Sequence, residues 1–242
     1  IQLSIQKFMT QKEICERFCL DKAHFAMIEN ALASKKANVL HADNDGLLLT
    51  YNGIDMLYGT QNEEAAKRIL SVLPHTDMIV CSSQAEVNAI KEVYPQIKTA
   101  KPCYQVRYEN AVDFPLAGGA VIKPMLPTQE NFNLIYSTYT LHYSLAEIEK
   151  LVAQKTFLCC ELGGEIVGYI GKHEEGSIGL LEVFPSARGK GVGSALLCAA
   201  VKSALERGEI AYSNIVENNE ASLKLHARLG YYPSKKLIFW CY

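Results

Sequence analysis

Val183-Phe184-Pro185-Ser186-Ala187-Arg188-Gly189-Lys190-Gly191-Val192-Gly193-Ser194 reads as a strand running through a glycine-rich turn into a helix. The apolar run Ile178–Phe184 stops at Pro185, which has no N–H to give to a ladder. Helical periodicity follows from about Gly193 to Arg207, closed by Gly208, with Lys202 and Arg207 set against the negative helix end. Gly189, Gly191 and Gly193 let main-chain N–H groups converge on an anion, and the helix N-terminus behind them adds its partial positive charge. This is the composition of a pyrophosphate cradle. A Walker loop needs Gly-Lys-Ser/Thr after four intervening residues, and the dinucleotide fingerprint needs Gly-x-Gly-x-x-Gly; the spacing here is Gly-x-Gly-x-Gly and fits neither. A glycine-rich connection without a ligand is the plain alternative, and the surrounding elements decide against it.

Before the cradle, the pattern predicts a strand at Ala120–Pro124 and helices at Gln129–Tyr139 and Leu145–Gln154. The second helix follows Ser144 with Glu147 three residues on, a capping box. Strands Phe157–Leu162 and Glu165–Gly171 flank Gly163-Gly164, a two-residue hairpin turn, and a third strand begins at Ile178. After the cradle come a strand at Ile210–Val216, a helix at Glu220–Leu229 closed by Gly230, and an apolar strand at Leu237–Cys241. The order is β-α-α-β-β-β-α-β-α-β.

The first half is also mixed α/β. Thr10–Ala33 reads as one or two amphipathic helices. Strands Asn38–His41, Gly46–Tyr51 and Ile54–Gly59 form a meander, the Asn52-Gly53 turn being the strongest hairpin signal. A helix at Glu63–Val72, a strand at Met78–Cys81, a helix at Gln84–Val93 and an extended stretch at Lys101–Tyr108 follow. Pro115 and Gly118-Gly119 interrupt the periodicity, which places a domain boundary between residues 117 and 118.

Lys+Arg (24) against Asp+Glu (26) leaves a net charge of −2, so no global attraction to nucleic acid or an anionic membrane is expected. The longest strongly apolar runs, such as Ala195–Val201, fall far short of the roughly 20 residues that cross a bilayer. Residues Ile1–Lys7 have neither a basic leader nor a long apolar core, so no secretory signal is expected unless one was already removed, and the chain reads as cytoplasmic. The eight cysteines show no C-x-x-C pair and read as buried free thiols; the six dispersed histidines supply no zinc spacing, and no metal is expected.

Arg188-Gly189-Lys190-Gly191-Val192-Gly193 resembles the (Gln/Arg)-x-x-Gly-x-(Gly/Ala) signature of the GNAT N-acetyltransferase superfamily. Asn219-Glu220-Ala221-Ser222-Leu223-Lys224-Leu225-His226-Ala227-Arg228-Leu229-Gly230-Tyr231 is similar to that family's Asn-x-x-(Ala/Ser)-x-x-Leu-(Tyr/His)-x-x-x-Gly-(Phe/Tyr) segment. The resemblance spans about Ala120–Tyr242 and includes the element order. It implies the α/β acyl-CoA N-acyltransferase fold in residues 118–242, with a mixed sheet splayed into a V between Ile178–Val183 and Ile210–Val216. It also implies acetyl-CoA as co-substrate and a small-molecule amine as acceptor; a homodimer stays open. The backbone of Leu181 and Val183 is implied to pair with the pantetheine arm, and Arg188, Gly189, Lys190, Gly191, Val192, Gly193 and Ser194 to hold the diphosphate. Asn219 and Ser222 are implied at the thiol end, although an N-cap is the plain reading of Asn219. A backbone N–H near Val183 is implied to stabilise the oxyanion. His226 stands where many relatives carry a tyrosine that protonates the leaving thiolate, and the version with His resembles phosphinothricin-type acetyltransferases; a surface or core histidine is the plain alternative.

Glu182, ionisable within an apolar strand, is a candidate general base; an outward-facing residue is the competing reading. Tyr136, Tyr139, His142 and Tyr143 read first as packing, and by resemblance as the acceptor-binding edge. The first half repeats the element order found from Phe157 onward, but Tyr58-Gly59-Thr60-Gln61-Asn62-Glu63-Glu64 replaces the cradle. Two carboxylates there would repel phosphate. Residues 1–117 therefore read either as a degenerate related half that shapes the acceptor pocket, as in two-part glycine N-acyltransferase-like members, or as an unrelated accessory domain. The rival to an enzyme is an acyl-CoA-binding sensor that keeps the cradle without turnover.

Overall fold

Caps and turns set the element boundaries. In the computed structural model, which describes residues 9–116, 118–139 and 143–242, the Thr10 side chain and Glu13 form a capping box that starts α1 (Gln11–Phe18), and α2 (Ala26–Ala33) follows. The meander is β1 (Asn38–Asp43), β2 (Gly46–Tyr51) and β3 (Ile54–Tyr58); then come α3 (Glu63–Leu70), β4 (Ile79–Cys81), α4 (Gln84–Val93) and β5 (Ala100–Arg107). The second half holds β6 (Val121–Pro124), α5 (Gln129–Thr138), α6 (Leu145–Ala153), β7 (Leu158–Leu162), β8 (Glu165–Lys172) and β9 (Ile178–Val183). It continues through α7 (Val192–Glu206), β10 (Tyr212–Val216), α8 (Glu220–Arg228) and β11 (Leu237–Cys241). His142 and the segment Ile1–Lys7, both given a reading above, lie outside the described residues.

Packing divides the chain into two units: residues up to Val106 with Ile215–Glu220 and Pro233–Tyr242, and Arg107–Asn214 with Ala221–Tyr232. The first contains most of a seven-stranded sheet ordered β1-β2-β3-β4-β11-β5-β10. The meander is antiparallel, β3 runs parallel to β4 through Asp55↔Ile79, Met56↔Val80 and Leu57↔Cys81, and β11 is antiparallel to both β4 and β5. Leu48, Leu57, Ile69, Ile79 and Ile90 are buried together under α3 and α4. Each such side chain contributes about 1.5–3 kcal/mol by leaving water. The last strand therefore lies in the middle of this sheet, although the element order places it at the end of the second half. Leu237-Ile238-Phe239-Trp240-Cys241 is apolar throughout, as suits a central strand, but a run of that kind carries no mark of which neighbours it will take.

The second unit holds an antiparallel sheet ordered β6-β7-β8-β9. Thr128 caps α5, and Ser144 with Glu147 forms the capping box of α6. These helices bury Ile135, Ile148 and Leu151 with Phe157, Tyr169 and Leu180. Helix α7 packs on β7, β8 and β9. The eight cysteines are free thiols, six of them buried.

Candidate functional site

Strand β9 is the outer edge of its sheet, with β8 on one side only. The Phe184 N–H donates to the Val167 carbonyl at 2.9 Å. Since N–H direction alternates along a regular strand, that of Val183 points to the open edge. Between β8 and β9 the register passes from Tyr169↔Glu182 to Gly171↔Gly179, two residues on β8 against three on β9. The extra residue makes a bulge, with Leu180 at φ 50°, a left-handed conformation that a branched, buried side chain rarely takes. Strand β10 belongs to the other sheet; the ends nearest one another are tied by the Ser213 hydroxyl donating to the Ile178 carbonyl at 2.7 Å.

Past β9 the chain makes one 3-10 turn, Pro185–Ala187, and enters the glycine loop. Gly189 and Gly191 both take left-handed φ, 74° and 84°. Gly191 is the N-cap of α7 and offers no side chain, and the first helical bond is the Ala195 N–H to the Gly191 carbonyl. The N–H groups of Val192, Gly193 and Ser194 thus have no acceptor within the helix. A Cβ on Gly193 would stand 3.5 Å from Val183 Cγ2, an ordinary contact that places the helix start beside β9. The chemistry this supports is anion binding at an uncapped helix end beside an open strand edge.

Arg188 is tied down locally: its Nε donates to the Val183 carbonyl at 2.8 Å and its Nη2 to Glu182 Oε1 at 3.1 Å. The guanidinium staples the end of β9 to the loop, and Glu182, half-buried, serves as its counter-ion. Lys190 is exposed.

His226 is buried, and both ring nitrogens are engaged. Nδ1 lies 2.7 Å from the Ser222 carbonyl, which can only accept, so a neutral ring carries its proton there. Nε2 lies 2.7 Å from the Tyr108 hydroxyl, which in turn lies 2.6 Å from the Ser213 hydroxyl. The imidazole, which the resemblance implies at the leaving thiol, sits in a buried chain that runs to Ile178 at the start of β9. In the first unit His24 is similarly enclosed, between the Tyr58 hydroxyl at 2.7 Å and the Leu237 carbonyl at 3.1 Å.

Burial lowers the pKa of both His24 and His226 below the ordinary histidine value. The unfolded chain then binds protons that the native state refuses, so their contribution is fully present above about pH 6.5 and is lost as pH falls through the depressed native values. Urea midpoints are expected to drop between pH 7.5 and pH 5, and His226→Gln is expected to reduce that slope. An unchanged slope would contradict the assignment.

Near the start of β9 lie Tyr139 and Tyr143, read from sequence as packing or as the acceptor-binding edge, with His173 and Glu175, which sequence reading passed over. The Tyr143 hydroxyl is 2.8 Å from His173 Nδ1, and the rings of Tyr139 and Tyr143 tilt together at 6.1 Å. Burial pushes the phenols of Tyr139 and Tyr143 up, so they stay protonated. Glu175, buried, accepts from the Ser177 hydroxyl and, at 3.3 Å, from the Asn214 amide. His173-Glu174-Glu175-Gly176, an ionisable run in a β-turn between two apolar strands, was the available signal. A groove of about 760 Å³ lined by Lys123, Asn131, Leu134 and Glu161 lies on the β6 edge, the opposite side of the sheet from β9.

In the first unit the corresponding loop is closed by the protein itself. Glu86 is buried and accepts from the Thr60 N–H at 2.9 Å, the Ser82 N–H at 2.6 Å and the Ser82 hydroxyl at 2.8 Å. Burial raises its pKa, while the three donors, all pointing at its oxygens, favour the charged form. Beneath it β3 and β4 are hydrogen-bonded side by side and leave no open edge.

Residues 125–231 match the family model described as the acetyltransferase (GNAT) family. The structure is similar over 97% of this chain and 97% of its counterpart to a Drosophila protein, at 16% identity and a TM-score of 0.69. It is similar over 90% of this chain to 93% of a GCN5-related N-acetyltransferase from Kribbella flavida, at 11% identity and 0.58. An acetyltransferase from the GNAT family of Colwellia psychrerythraea matches 96% of this chain with 94% of its own length, at 13% identity and 0.55. At such identities the likeness is one of fold, and it extends over nearly the whole chain. Residues 125–231 are thus an acetyltransferase (GNAT) family domain.

Proposed function

We propose that this protein transfers an acetyl group from acetyl-CoA to a primary amine of a small molecule or amino acid, by direct attack within a ternary complex. The observation that carries the reading is the conjunction of an uncapped α7 N-terminus, opened by Gly189 and Gly191, with the outward amide of Val183 on the adjoining strand edge. The residues present fit the co-substrate: backbone N–H groups from Gly189 to Ser194 take the diphosphate, and the strand edge takes the amides of the pantetheine arm. Residues 118–242 supply this machinery. Residues 1–117 form a degenerate half without cofactor, supported by the Glu86 carboxylate in the loop and the paired β3 and β4.

With the diphosphate beyond Val183 and the arm passing Leu181, the thioester comes to rest near the Leu180 bulge. An outward N–H of β9 there, at Val183 or next to the bulge, stabilises the oxyanion. Asn219 and Ser222 meet the thiol end. Glu182 anchors Arg188 at the diphosphate end rather than serving as the base. His226 acts as a positioning residue, holding Tyr108 and Ser213 against Ile178.

Thiol release from acetyl-CoA across a panel of amines tests the reading. Amine-dependent release is expected, reduced about tenfold in His226→Ala with coenzyme A affinity retained. Tight coenzyme A binding with no release under any acceptor would instead assign the protein as a sensor.

A further inference from the structure

Resting on the acetyltransferase reading, we propose that His173 is the residue that takes the proton from the incoming ammonium, with Tyr143 setting its tautomer. Three observations converge on it. His173 follows β8 in the turn that leads into β9, a turn closed by its N–H to the Ser177 carbonyl at 3.0 Å and by the Gly176 N–H to its own carbonyl at 3.0 Å. Its ring abuts Gly179 through Nε2 and Cδ2: a Cβ built there would overlap both atoms, so glycine is what admits the imidazole to the backbone of β9. Gly179 adjoins Leu180, the left-handed residue of the bulge, at the opposite end of β9 from the cradle. An acyl group delivered along the strand from the cradle arrives beside that ring.

The two nitrogens of His173 have different surroundings. Nδ1 lies 2.8 Å from the Tyr143 hydroxyl. Proton abstraction requires the tautomer in which Nδ1–H donates to the phenol oxygen, which leaves the lone pair on Nε2, on the Gly179 side. A base whose second nitrogen is fixed by a neighbour is the arrangement general-base catalysis needs. Glu182 lacks this position, because it is bound to Arg188 at the other end of the strand.

The step balances without a further reagent. Nε2 takes one proton from R–NH3+, leaving a neutral amine and an imidazolium. The amine lone pair forms the N–C bond to the thioester carbonyl; on collapse the C–S bond breaks and sulfur leaves with the electron pair. The remaining excess proton on the amide nitrogen passes to sulfur, and the imidazolium returns its proton to solvent. The charged and titratable groups around the ring are Tyr143 and Tyr139 on the helical side, Glu174 and Glu175 in the turn, and Lys150, which pairs with Glu174 at 2.6 Å.

The test compares wild type, His173→Gln and Tyr143→Phe in acetyl-CoA turnover over pH 5.5–9, with coenzyme A affinity from calorimetry and the imidazole C–H resonances from NMR. His173→Gln is expected to lower kcat about 100-fold or more, leave coenzyme A affinity within twofold, and remove the acidic limb of the pH profile. Tyr143→Phe is expected to lower kcat about tenfold and displace that limb. In the wild type the His173 resonance, assigned by its loss in His173→Gln, is expected to move when coenzyme A is added. Turnover of His173→Gln within threefold of wild type, with an unaltered pH profile, would overturn the proposal. If the wild type acetylates no amine, the acetyltransferase reading fails, and the proposal is then decided by NMR: a His173 resonance indifferent to coenzyme A overturns it.

Discussion

Gly191→Glu is expected to cost at least about 100-fold in coenzyme A affinity, read by calorimetry. Two effects add. Gly191 sits at φ 84°, and an L-residue there costs about 1–2 kcal/mol. Its Cβ would approach the Phe114 ring to 2.9 Å, so the ring must move or the loop must shift. The new carboxylate then stands at the uncapped start of α7, where it competes for the N–H groups of Val192, Gly193 and Ser194 and repels the diphosphate. About 3 kcal/mol in all corresponds to the stated factor, since each 1.4 kcal/mol is tenfold. Gly191→Ala carries the strain without the charge and should lose only about tenfold. Glutamate binding coenzyme A as well as alanine does would remove the electrostatic part of this account, and with it the cradle.

The largest stability effect is expected at Glu86→Leu, about 3 kcal/mol by urea unfolding. The carboxylate receives two backbone N–H groups and a hydroxyl, all enclosed with it. Leucine fills similar volume but leaves three buried donors without an acceptor, each costing about 1–3 kcal/mol. Relief of the carboxylate's own desolvation, the cause of its raised pKa, offsets part of this. Against a total stability of roughly 5–15 kcal/mol, such a loss is severe. Glu86→Gln keeps one acceptor and should fall between. A leucine variant as stable as wild type would mean that this carboxylate does not hold the loop.

Much of the fold was legible because its signals are local. The hairpin at Asn52-Gly53, the Ser144–Glu147 box and the Gly208 and Gly230 stops each act within a few residues, and the elements they bound appear where the pattern puts them. The glycine loop before α7 was legible for the same reason: three glycines between a strand and a helix can be read without knowing what else is near. Side-chain pairing across the fold was not. Nothing near Arg188 announces that its guanidinium turns back to Val183 and Glu182, and nothing near His226 names Tyr108, 118 residues earlier, as its partner. The conformation of Leu180 was equally hidden, because a leucine in an apolar strand gives no hint of a bulge.

The sequence by itself determined the order and limits of the helices and strands and the backbone chemistry of the loop from Arg188 to Ser194, since propensity, capping and glycine geometry act over a turn or two of chain. Only the tertiary structure decided that Leu237–Cys241 enters the sheet between β4 and β5, that Glu86 fills the first half's loop, and that His173 rests on Gly179. Those outcomes depend on burial and hydrogen-bond partners far apart in sequence, where an apolar strand or an ionisable side chain has many possible neighbours and packing selects one.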